Sequence, residues 1–318
     1  MSDAALAIHT EGVTKSYGAT RAVDGVDLRV PAGSVYALLG TNGAGKTTTV
    51  RMLATLTRPD AGTAEIFGLD VVRNAGSVRS LIGVTGQYAS VDEDLTAHEN
   101  LMVFARLIGS TRQRARRRAD ELLAEFGLTT VAGRAVRHFS GGMRRRLDLA
   151  ASMITRPRLL FLDEPTTGLD PRTRVQMWNT VRDMVNGGTT VLLTTQYLEE
   201  ADQLADHIAV MDRGRVVADG SADELKARVG DICVRLDLCD PELAPRAAAA
   251  CRSFTQEDVL IEGPERRVVV PVANLDSLPE LLLRMRAHDI DLNAVNVERP
   301  TLDEVFFALT GETEAGAA

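Results

Sequence analysis

A glycine-rich segment between residues 40 and 48 has the composition of a loop that binds phosphate groups. Its residues are, in order, Gly40, Thr41, Asn42, Gly43, Ala44, Gly45, Lys46, Thr47 and Thr48. A triphosphate needs many hydrogen-bond donors at short range, and glycines let backbone N–H groups approach it closely. The lysine adds positive charge for the outer phosphates, and the Thr47 hydroxyl can ligate magnesium. The segment therefore predicts a site for a nucleoside triphosphate and Mg2+.

The sequence around this loop fits a strand on one side and a helix on the other. Residues 34–39 form an apolar, β-prone run, and residues 47–56 have apolar side chains at helical spacing. A strand, a glycine-rich turn and a helix in this order are the context that a phosphate-binding loop requires. An accidental glycine-rich turn is the alternative, and this context argues against it.

Two adjacent carboxylates follow a second apolar run. Residues 159–162 lead directly to Asp163 and Glu164, which places both acids where a buried strand ends. In open α/β sheets, ligands bind at the carboxyl ends of the strands. Asp163 would hold magnesium through water, and Glu164 would polarise the water that attacks a phosphate. Acids after an apolar strand are common in α/β proteins, so this interpretation depends on the glycine-rich loop.

A second candidate anion site lies at the start of a predicted helix. Ser140 is predicted as the N-cap, and Gly141 and Gly142 begin a helical sequence that is rich in arginine. The first turn of a helix has free N–H groups and a partial positive charge, which favour anions. The alternative is an ordinary capped helix with solvated arginines. The position of the segment shortly before the acidic strand end favours the anion site.

The pattern of apolar residues divides the chain into domains. Up to about residue 228, β-prone runs alternate with helical stretches, which predicts an α/β fold with a sheet flanked by helices. The predicted strands of this part include residues 34–39, 159–162, 189–195 and 207–212. A helical stretch is predicted from about residue 97 to 126, within a helical subdomain over about 88–156. The first domain is therefore assigned to residues 1–228.

The pattern changes after Gly230. Strands are predicted at residues 232–238, 259–261, 267–272 and 292–297, and helices at 241–254 and 278–287. The order β-α-β-β-α-β is typical of a small ferredoxin-like α+β module, which is assigned to residues 229–311. Its last helix is predicted to have Thr301 as N-cap and Glu304 as capping-box partner. Residues 312–318 are expected to form a tail.

The composition is that of a globular protein with room for two domains. The 318 residues are 45% hydrophobic and 25% charged, and the net charge of −8 gives no global attraction for nucleic acid. No apolar run reaches the roughly 18 residues that a membrane span needs, and no basic signal-peptide start is seen, so the cytoplasm is expected. The cysteines lack the spacing of a zinc site or a disulfide framework.

Arginines are crowded in one short region of the predicted helical stretch. They are Arg112, Arg114, Arg116, Arg117 and Arg118. A nucleic-acid patch would have interleaved aromatic residues, which this region lacks, and Asp120 and Glu121 follow at once. A solvated helix face is therefore favoured. Contact with anionic lipid headgroups is a further alternative.

Together these segments resemble a known family. Residues 139–143 resemble the signature of the ATP-binding subunits of ABC transporters, and Gly168-Leu169-Asp170 resembles the loop at their dimer interface. Within that family the chain is similar to ATPases of the daunorubicin/doxorubicin-resistance type, on the basis of residues 142–147, 194–201 and 302–306. The resemblance implies the P-loop NTPase fold of an ABC ATPase, with ATP and Mg2+ as cofactors.

The resemblance also implies roles for individual residues. Tyr17 would stack on adenine, Asp170 would lie at the dimer interface, and Gln87 would sense magnesium and the attacking water. Met143 replaces the glutamine that is usual in the signature, which leaves the other donors of that segment in place. Gln196 stands where most of the family has a histidine near the γ-phosphate. Its amide can donate a hydrogen bond but cannot titrate, so hydrolysis is expected to survive.

The resemblance further implies an ATP-driven cycle at a membrane. Two copies would meet head to tail, with each ATP between the phosphate loop of one copy and the Ser140 region of the other. A separate transmembrane permease would provide the path for a hydrophobic drug, antibiotic or secondary metabolite, and the chain would lie peripherally on the cytoplasmic face. No nucleic acid partner is expected. The alternatives are a non-transport ABC ATPase acting on ribosomes or DNA, and a weakly hydrolysing, ATP-gated regulatory module.

Overall fold

The structure is a computed structural model that describes residues 5–86, 90–228, 232–255, 258–263, 266–272, 274–298 and 300–310. The chain divides into two compact units, Met1–Ala222 and Asp223–Ala318. This division falls inside the stretch that the sequence assigns to the first domain. Gln87 and the predicted tail lie outside the described residues.

Strands and helices alternate through most of the described residues. The strands are β1 (Leu6–Tyr17), β2 (Thr20–Pro31), β3 (Val35–Leu39), β4 (Ala61–Ile66), β5 (Leu69–Asp70), β6 (Ile82–Thr85), β7 (Leu159–Asp163), β8 (Thr190–Thr195), β9 (His207–Asp212), β10 (Arg215–Gly220), β11 (Ile232–Leu238), β12 (Leu260–Glu262), β13 (Arg267–Val272) and β14 (Leu292–Glu298). The α-helices are α1 (Lys46–Leu53), α2 (Ala75–Leu81), α3 (Ala97–Leu107), α4 (Arg112–Glu125), α5 (Gly141–Ser152), α6 (Pro171–Asn186), α7 (Leu198–Leu204), α8 (Ala222–Ala227), α9 (Ala244–Cys251), α10 (Leu278–Ala287) and α11 (Leu302–Thr310).

The centre of the first unit is a six-stranded sheet in the order β10-β9-β3-β8-β7-β6. Its strands pair in parallel, except for the antiparallel pair β9 and β10. Parallel strands that are covered on both faces are apolar along their whole length, and every residue of β3, β7 and β8 is buried. The sequence prediction of these strands is therefore confirmed to within one residue at each end. Because β8 lies between β3 and β7, the loops that follow these three strands meet at one edge.

A second sheet of the first unit, in the order β2-β1-β4-β5, is not predicted from the sequence. β1 and β2 form a long antiparallel hairpin whose pairing shifts register several times. Such bulges interrupt the period-two pattern by which a half-buried strand is identified. This sheet packs against the parallel sheet, since Ile8, Val26 and Leu38 belong to one buried cluster. The hairpin places Tyr17 at the end of β1.

The helical stretch predicted from residue 97 to 126 consists of two helices, α3 and α4. Gly109 ends α3 with a left-handed φ of 86°. Thr111 then caps α4 by accepting a hydrogen bond from the backbone N–H of Arg114 (3.4 Å). A glycine followed by a capping threonine is the local cause of the break. Most of the clustered arginines at the start of α4 are exposed, and Arg118 is half-buried.

The second unit contains the elements in the predicted order β-α-β-β-α-β. Its sheet has the order β12-β13-β11-β14 and is antiparallel throughout. The predicted helix at residues 241–254 is shorter than expected, because 3-10 turns at Pro241–Leu243 and Arg252–Phe254 flank α9. Val234 of β11 and Leu281 of α10 belong to a buried cluster of this unit.

The last described helix, α11, begins as the sequence predicts. The Thr301 amide donates to Oε2 of Glu304 (2.8 Å), and the Glu304 amide donates to the Thr301 hydroxyl (3.3 Å). These reciprocal bonds confirm the capping box. Leu302, Val305 and Phe306 form the buried side of the helix. Among the residues that the structure describes, no helix is long and apolar enough to cross a membrane.

Candidate active site

Backbone packing shapes the glycine-rich loop between β3 and α1. Gly45 caps α1 with a φ of 104°, and Gly43 has a φ of 87°, a region that residues with side chains rarely adopt. A Cβ atom at Gly40 would lie 2.4 Å from the carbonyl oxygen of Met211, and one at Gly45 would lie 2.5 Å from that of Ala22. Side chains are therefore excluded at these positions, which leaves the bare backbone that a phosphate cradle requires.

Lys46 holds its charge inside this loop. The side chain is 4% exposed, and Nζ donates to the carbonyl oxygens of Gly40 (2.6 Å) and Thr41 (3.0 Å). The same ammonium lies 3.9 Å from Oε1 of Glu164. Burial lowers the pKa of Lys46, and the carboxylates of Glu164 and Asp163 oppose that shift. The loop thus has a cation at its centre, next to the acidic strand end.

Oxygen atoms cluster at the end of β7. Asp163 is the last residue of the strand and is 8% exposed. Its Oδ1 accepts hydrogen bonds from the hydroxyls of Thr47 (3.2 Å) and Thr194 (2.5 Å). Carboxylate and hydroxyl oxygens are the hard ligands that Mg2+ prefers. Thr47 and Asp163, two of the three residues that the sequence analysis connects with magnesium, therefore have suitable chemistry and lie together.

Thr194 is a site residue that the sequence analysis missed. It is fully buried in β8, and its hydroxyl both donates to Asp163 and accepts from the backbone N–H of Glu164 (3.1 Å). A buried hydroxyl needs such partners. The sequence signal is a pair of threonines at the end of an apolar run, and only the strand order shows which acids they meet. Thr194 thus connects the two acidic residues of the site.

Glu164 leaves the strand in a strained backbone conformation. Its φ of 48° is left-handed, which costs a residue with a Cβ atom about 1–2 kcal/mol. The Glu164 amide donates to the carbonyl oxygen of Thr194 (3.1 Å), and its Oε2 accepts from the hydroxyl of Thr167 (3.2 Å). These contacts hold the carboxylate near Lys46. A carboxylate in this position suits a base that accepts a proton from water beside a bound phosphate.

Gln196 lies at the same edge of the sheet. It directly follows β8 and is half-buried. The end of β8 is attached to the glycine-rich loop, because the Gly40 amide donates to the carbonyl oxygen of Thr195 (3.2 Å). Because β8 lies between β3, which leads to Lys46, and β7, which ends at Asp163, Gln196 lies where the loops after these strands meet.

The second predicted anion site lies at the start of α5, which packs close to the start of α6. Ser140 accepts a hydrogen bond from the amide of Met143 (3.3 Å), which confirms it as the N-cap of α5. A Cβ atom at Gly142 would lie 2.3 Å from Cγ2 of Thr173, so a larger residue would displace the Thr173 side chain where α5 meets α6. Asp170 caps α6, and its carboxylate accepts from the amide (3.0 Å) and the hydroxyl (2.6 Å) of Thr173. This carboxylate therefore has a local capping function.

The predicted adenine contact lies on the antiparallel sheet. The Tyr17 side chain is 50% exposed, and Nζ of Lys15 lies 5.7 Å from its ring centroid. A half-exposed ring has a face available for stacking. The glycine-rich loop therefore contacts Asp163 and Glu164 directly, through Thr47 and Lys46. Tyr17 lies on a different sheet, and Gln87 lies outside the described residues.

Several known proteins are similar to this chain along nearly its whole length. Residues 23–167 match the family model described as ABC transporter. The chain is 54% identical over 309 residues to the daunorubicin/doxorubicin resistance ATP-binding protein DrrA of Streptomyces peucetius, covering 96% of this chain and 92% of that protein. It is 34% identical over 309 residues to the linearmycin resistance ATP-binding protein LnrL of Bacillus subtilis, covering 96% and 99%.

Solved structures have the same fold over part of the chain. A structure of an ATP-binding subunit of an ABC transporter superposes with a TM-score of 0.62 at 28% identity, over 70% of this chain and 92% of that chain. A dimeric, post-hydrolysis structure of an ATP-binding cassette bound to ADP and Pi superposes with a TM-score of 0.61 at 23% identity, over 67% and 98%. The second likeness concerns the fold alone.

The family and the site geometry agree on the activity. ABC ATPase domains bind ATP and hydrolyse it in step with transport, and their subunits generally dimerise and pair with membrane permeases. The glycine-rich loop, the acidic strand end and a helix capped by Ser140 all occur in this chain. The chain belongs to the ABC transporter family, as an ATP-binding subunit of the daunorubicin/doxorubicin-resistance ATPase type.

Proposed function

We propose that this chain binds ATP with Mg2+ at the edge of the parallel sheet and hydrolyses it to drive export of a hydrophobic drug, antibiotic or secondary metabolite. The observation that supports this most directly is the meeting of two pairs of residues. The Lys46 ammonium lies 3.9 Å from the Glu164 carboxylate, and the Thr47 hydroxyl lies 3.2 Å from the Asp163 carboxylate. The class of cargo is inferred from relatives named for resistance to daunorubicin, doxorubicin and linearmycin.

The proposed reaction is attack of water on the γ-phosphorus of ATP. Residues 40–48 hold the phosphates through backbone N–H groups, and Lys46 within them balances negative charge. Thr47, Gln87 and Asp163 would hold Mg2+, which when bound neutralises charge on the phosphate oxygens. Glu164 orients the water and accepts its proton while the bond between the γ-phosphorus and the bridging oxygen breaks. The products are ADP and phosphate.

In the proposed assembly, two copies complete each site. Ser140, Gly141 and Gly142 would donate to the ATP that the other copy holds, because the start of α5 has the free N–H groups of a helix N-terminus. Asp170 would lie at the junction, and Tyr17 would stack on adenine. ATP binding then favours the closed dimer, and hydrolysis reopens it. The dimer would act peripherally, on the cytoplasmic face of the membrane, with a separate transmembrane permease.

Steady-state phosphate release by the purified chain with its membrane partner tests this function against a regulatory module that does not hydrolyse ATP. We expect magnesium-dependent release. Gln196→Ala should lower turnover about tenfold, equivalent to about 1.4 kcal/mol, and change ATP affinity little, because it removes one donor to the γ-phosphate. No release by the parent would favour the regulatory module. A parent-like rate in the variant would show that Gln196 does not contact the γ-phosphate.

Gln196→His should keep or modestly raise turnover and add a dependence on pH. A protonated imidazole donates a charge-assisted hydrogen bond, which is roughly twice as strong as that of a neutral amide. Between about pH 6 and 8 the imidazole loses its proton, so turnover of the variant should fall relative to the parent as the pH rises. Gln203→His is the matched control on exposed surface of α7, and it should follow the pH profile of the parent.

We also propose that residues 229–311 form a ferredoxin-like module that regulates or assembles the complex. It would follow an ABC-type domain over residues 1–228, whose helical subdomain spans about 88–156. The support is an antiparallel sheet in the order β12-β13-β11-β14 with two helices and its own buried cluster. A segment with its own core can fold as a unit. The candidate catalytic and nucleotide-binding residues all lie before it in the chain.

Phe306→Asp is expected to weaken assembly and leave the nucleotide site intact. Phe306 is 8% exposed, and an unpaired carboxylate in its place costs a few kcal/mol, so the melting temperature should fall. The matched control is Phe307→Asp, because the Phe307 side chain is next in the sequence and is 36% exposed. Melting temperature, ATP affinity and co-purification with the membrane subunit are measured for both. If Phe306→Asp changes neither melting temperature nor association, α11 has no docking role.

A further inference from the structure

Arg145 is buried against the acidic strand end. Its side chain is 13% exposed, and its guanidinium donates to the carbonyl oxygens of Gly86 (2.9 Å), Asp163 (3.1 Å), Glu164 (3.4 Å) and Pro165 (3.0 Å). A guanidinium has about five N–H donors in a fixed plane and no acceptor, so its burial requires a matching set of oxygens. Most of these oxygens belong to the turn that leaves β7.

The neighbouring arginines of α5 have other contacts. Nη1 of Arg144 donates to the carboxylate of Glu93 (2.6 Å), and Nη1 of Arg146 donates to the carbonyl oxygen of Phe126 (3.4 Å). Neither contact involves the turn after β7. Arg145 therefore differs from its neighbours by position, although the three side chains are chemically identical.

The turn that Arg145 contacts includes the strained residue of the site. Glu164 has a left-handed φ of 48°, and such a conformation persists only when its surroundings determine it. The Thr194 hydroxyl accepts a hydrogen bond from the Glu164 amide. Arg145 donates to the carbonyl oxygen of Glu164 and to those of the residues on either side of it, Asp163 and Pro165. The peptide groups on both sides of Glu164 are thus anchored. The direction of its carboxylate, next to Lys46, follows from that backbone conformation.

Asp148, one turn further along α5, forms an ion pair with Arg145. Its side chain is 2% exposed, and its Oδ2 lies 3.6 Å from Nη1 of Arg145. Oδ1 accepts from the backbone N–H of Ser90 (2.7 Å). Burial raises the pKa of Asp148, and the Ser90 amide and the Arg145 charge oppose that shift. Since Arg145 also donates to Gly86, the pair contacts the residues directly before and directly after positions 87–89.

We propose that Arg145 is a positioning residue for ATP hydrolysis. Its bonds to the carbonyl groups of residues 163–165 hold Glu164 in the conformation that directs its carboxylate at the attacking water. Arg145 lies in the helix that begins after Ser140, and in the proposed function Ser140 contacts the ATP of the other copy. Arg145 therefore also connects the acids of one site to the helix that serves the other site. The inference rests on the proposed function.

A double-mutant cycle between Arg145 and Glu164 tests this inference in the full chain with its membrane partner. Arg145→Met removes the charge and the donors and keeps a stem of similar shape. We expect kcat to fall about a hundredfold, because a small displacement of a reacting group costs that much, with the ATP dissociation constant changed less than about threefold. In the Glu164→Gln background the same substitution should change kcat less than about twofold, because Arg145 acts through Glu164.

Two further variants separate positioning from general stabilisation. Arg145→Lys keeps the charge and retains about three donors, so it should recover about tenfold of the lost kcat. Arg118→Met is the matched control, because the Arg118 side chain is 16% exposed and its Nη2 donates to the carbonyl oxygen of Met153 (2.7 Å). Loss of the Arg118 guanidinium in this variant should lower the melting temperature and change kcat less than about twofold.

Each contrary result has a distinct meaning. A parent-like kcat in Arg145→Met, losses that multiply in the cycle, or an Arg145→Lys chain as slow as Arg145→Met would overturn the positioning role. Absence of hydrolysis by the parent would contradict the proposed function, and the inference with it. If Arg145→Met does not fold, the cycle with Arg145→Lys decides the question. Its expected loss is about tenfold in the parent and less than about twofold in Glu164→Gln.

Discussion

ATP binding is expected to be lost when Lys46 is replaced by alanine. The Lys46 ammonium lies inside the glycine-rich loop, held by the carbonyl oxygens of Gly40 and Thr41. Without it, a triphosphate would meet only the backbone donors of the loop and the nearby carboxylates, which repel it. Each charge-assisted hydrogen bond to phosphate contributes about 1.5–3 kcal/mol, and an ammonium can donate more than one. The ATP dissociation constant should therefore rise about a hundredfold or more.

The loss is measured by nucleotide titration and by the thermal stabilisation that ATP confers. At an ATP concentration of about a hundred times the dissociation constant, the parent should gain about 2.7 kcal/mol of stability, and Lys46→Ala should gain almost none. Lys226→Ala removes the same charge from α8 and should bind ATP as the parent does. Parent-like affinity in Lys46→Ala would contradict the assignment of residues 40–48 as the phosphate loop.

Unlike Lys46→Ala, Glu164→Gln should still bind ATP but should hardly hydrolyse it. The amide has the same shape, and its oxygen can still accept from the Thr167 hydroxyl, which lies 3.2 Å from the carboxylate. It cannot accept the proton of the attacking water, so kcat should fall about a thousandfold, or about 4 kcal/mol. Because the proposed dimer reopens on hydrolysis, the ATP-bound variant should elute as a stable dimer in size-exclusion chromatography.

An exposed carboxylate provides the control for this exchange. Glu199 on α7 is 69% exposed and lies 3.7 Å from Arg174, and Glu199→Gln should leave turnover and elution unchanged. The two central predictions also constrain each other. If Glu164→Gln and Lys46→Ala lose ATP affinity equally, then the division of roles between phosphate binding and activation of water is wrong.

The parts of the fold that the sequence predicts well depend on short stretches of chain. β3, β7 and β8 are buried on both faces and therefore read as continuous apolar runs. The Ser140 cap and the capping box of Thr301 and Glu304 each involve residues three positions apart. The antiparallel sheet is missed because its strands are bulged and only partly buried.

By itself, the sequence determined which groups are candidates to bind phosphate and magnesium, because residue type and close spacing define the glycine-rich loop and the pair Asp163-Glu164. Only the tertiary structure decided how these groups are held. The Thr194 hydroxyl bonds to Asp163 across 31 positions of the chain, and Arg145 bonds to Gly86 across 59. Contacts at such separations depend on the order of the strands and on where α5 packs. The local pattern cannot therefore distinguish a solvated arginine from one that is buried against the site.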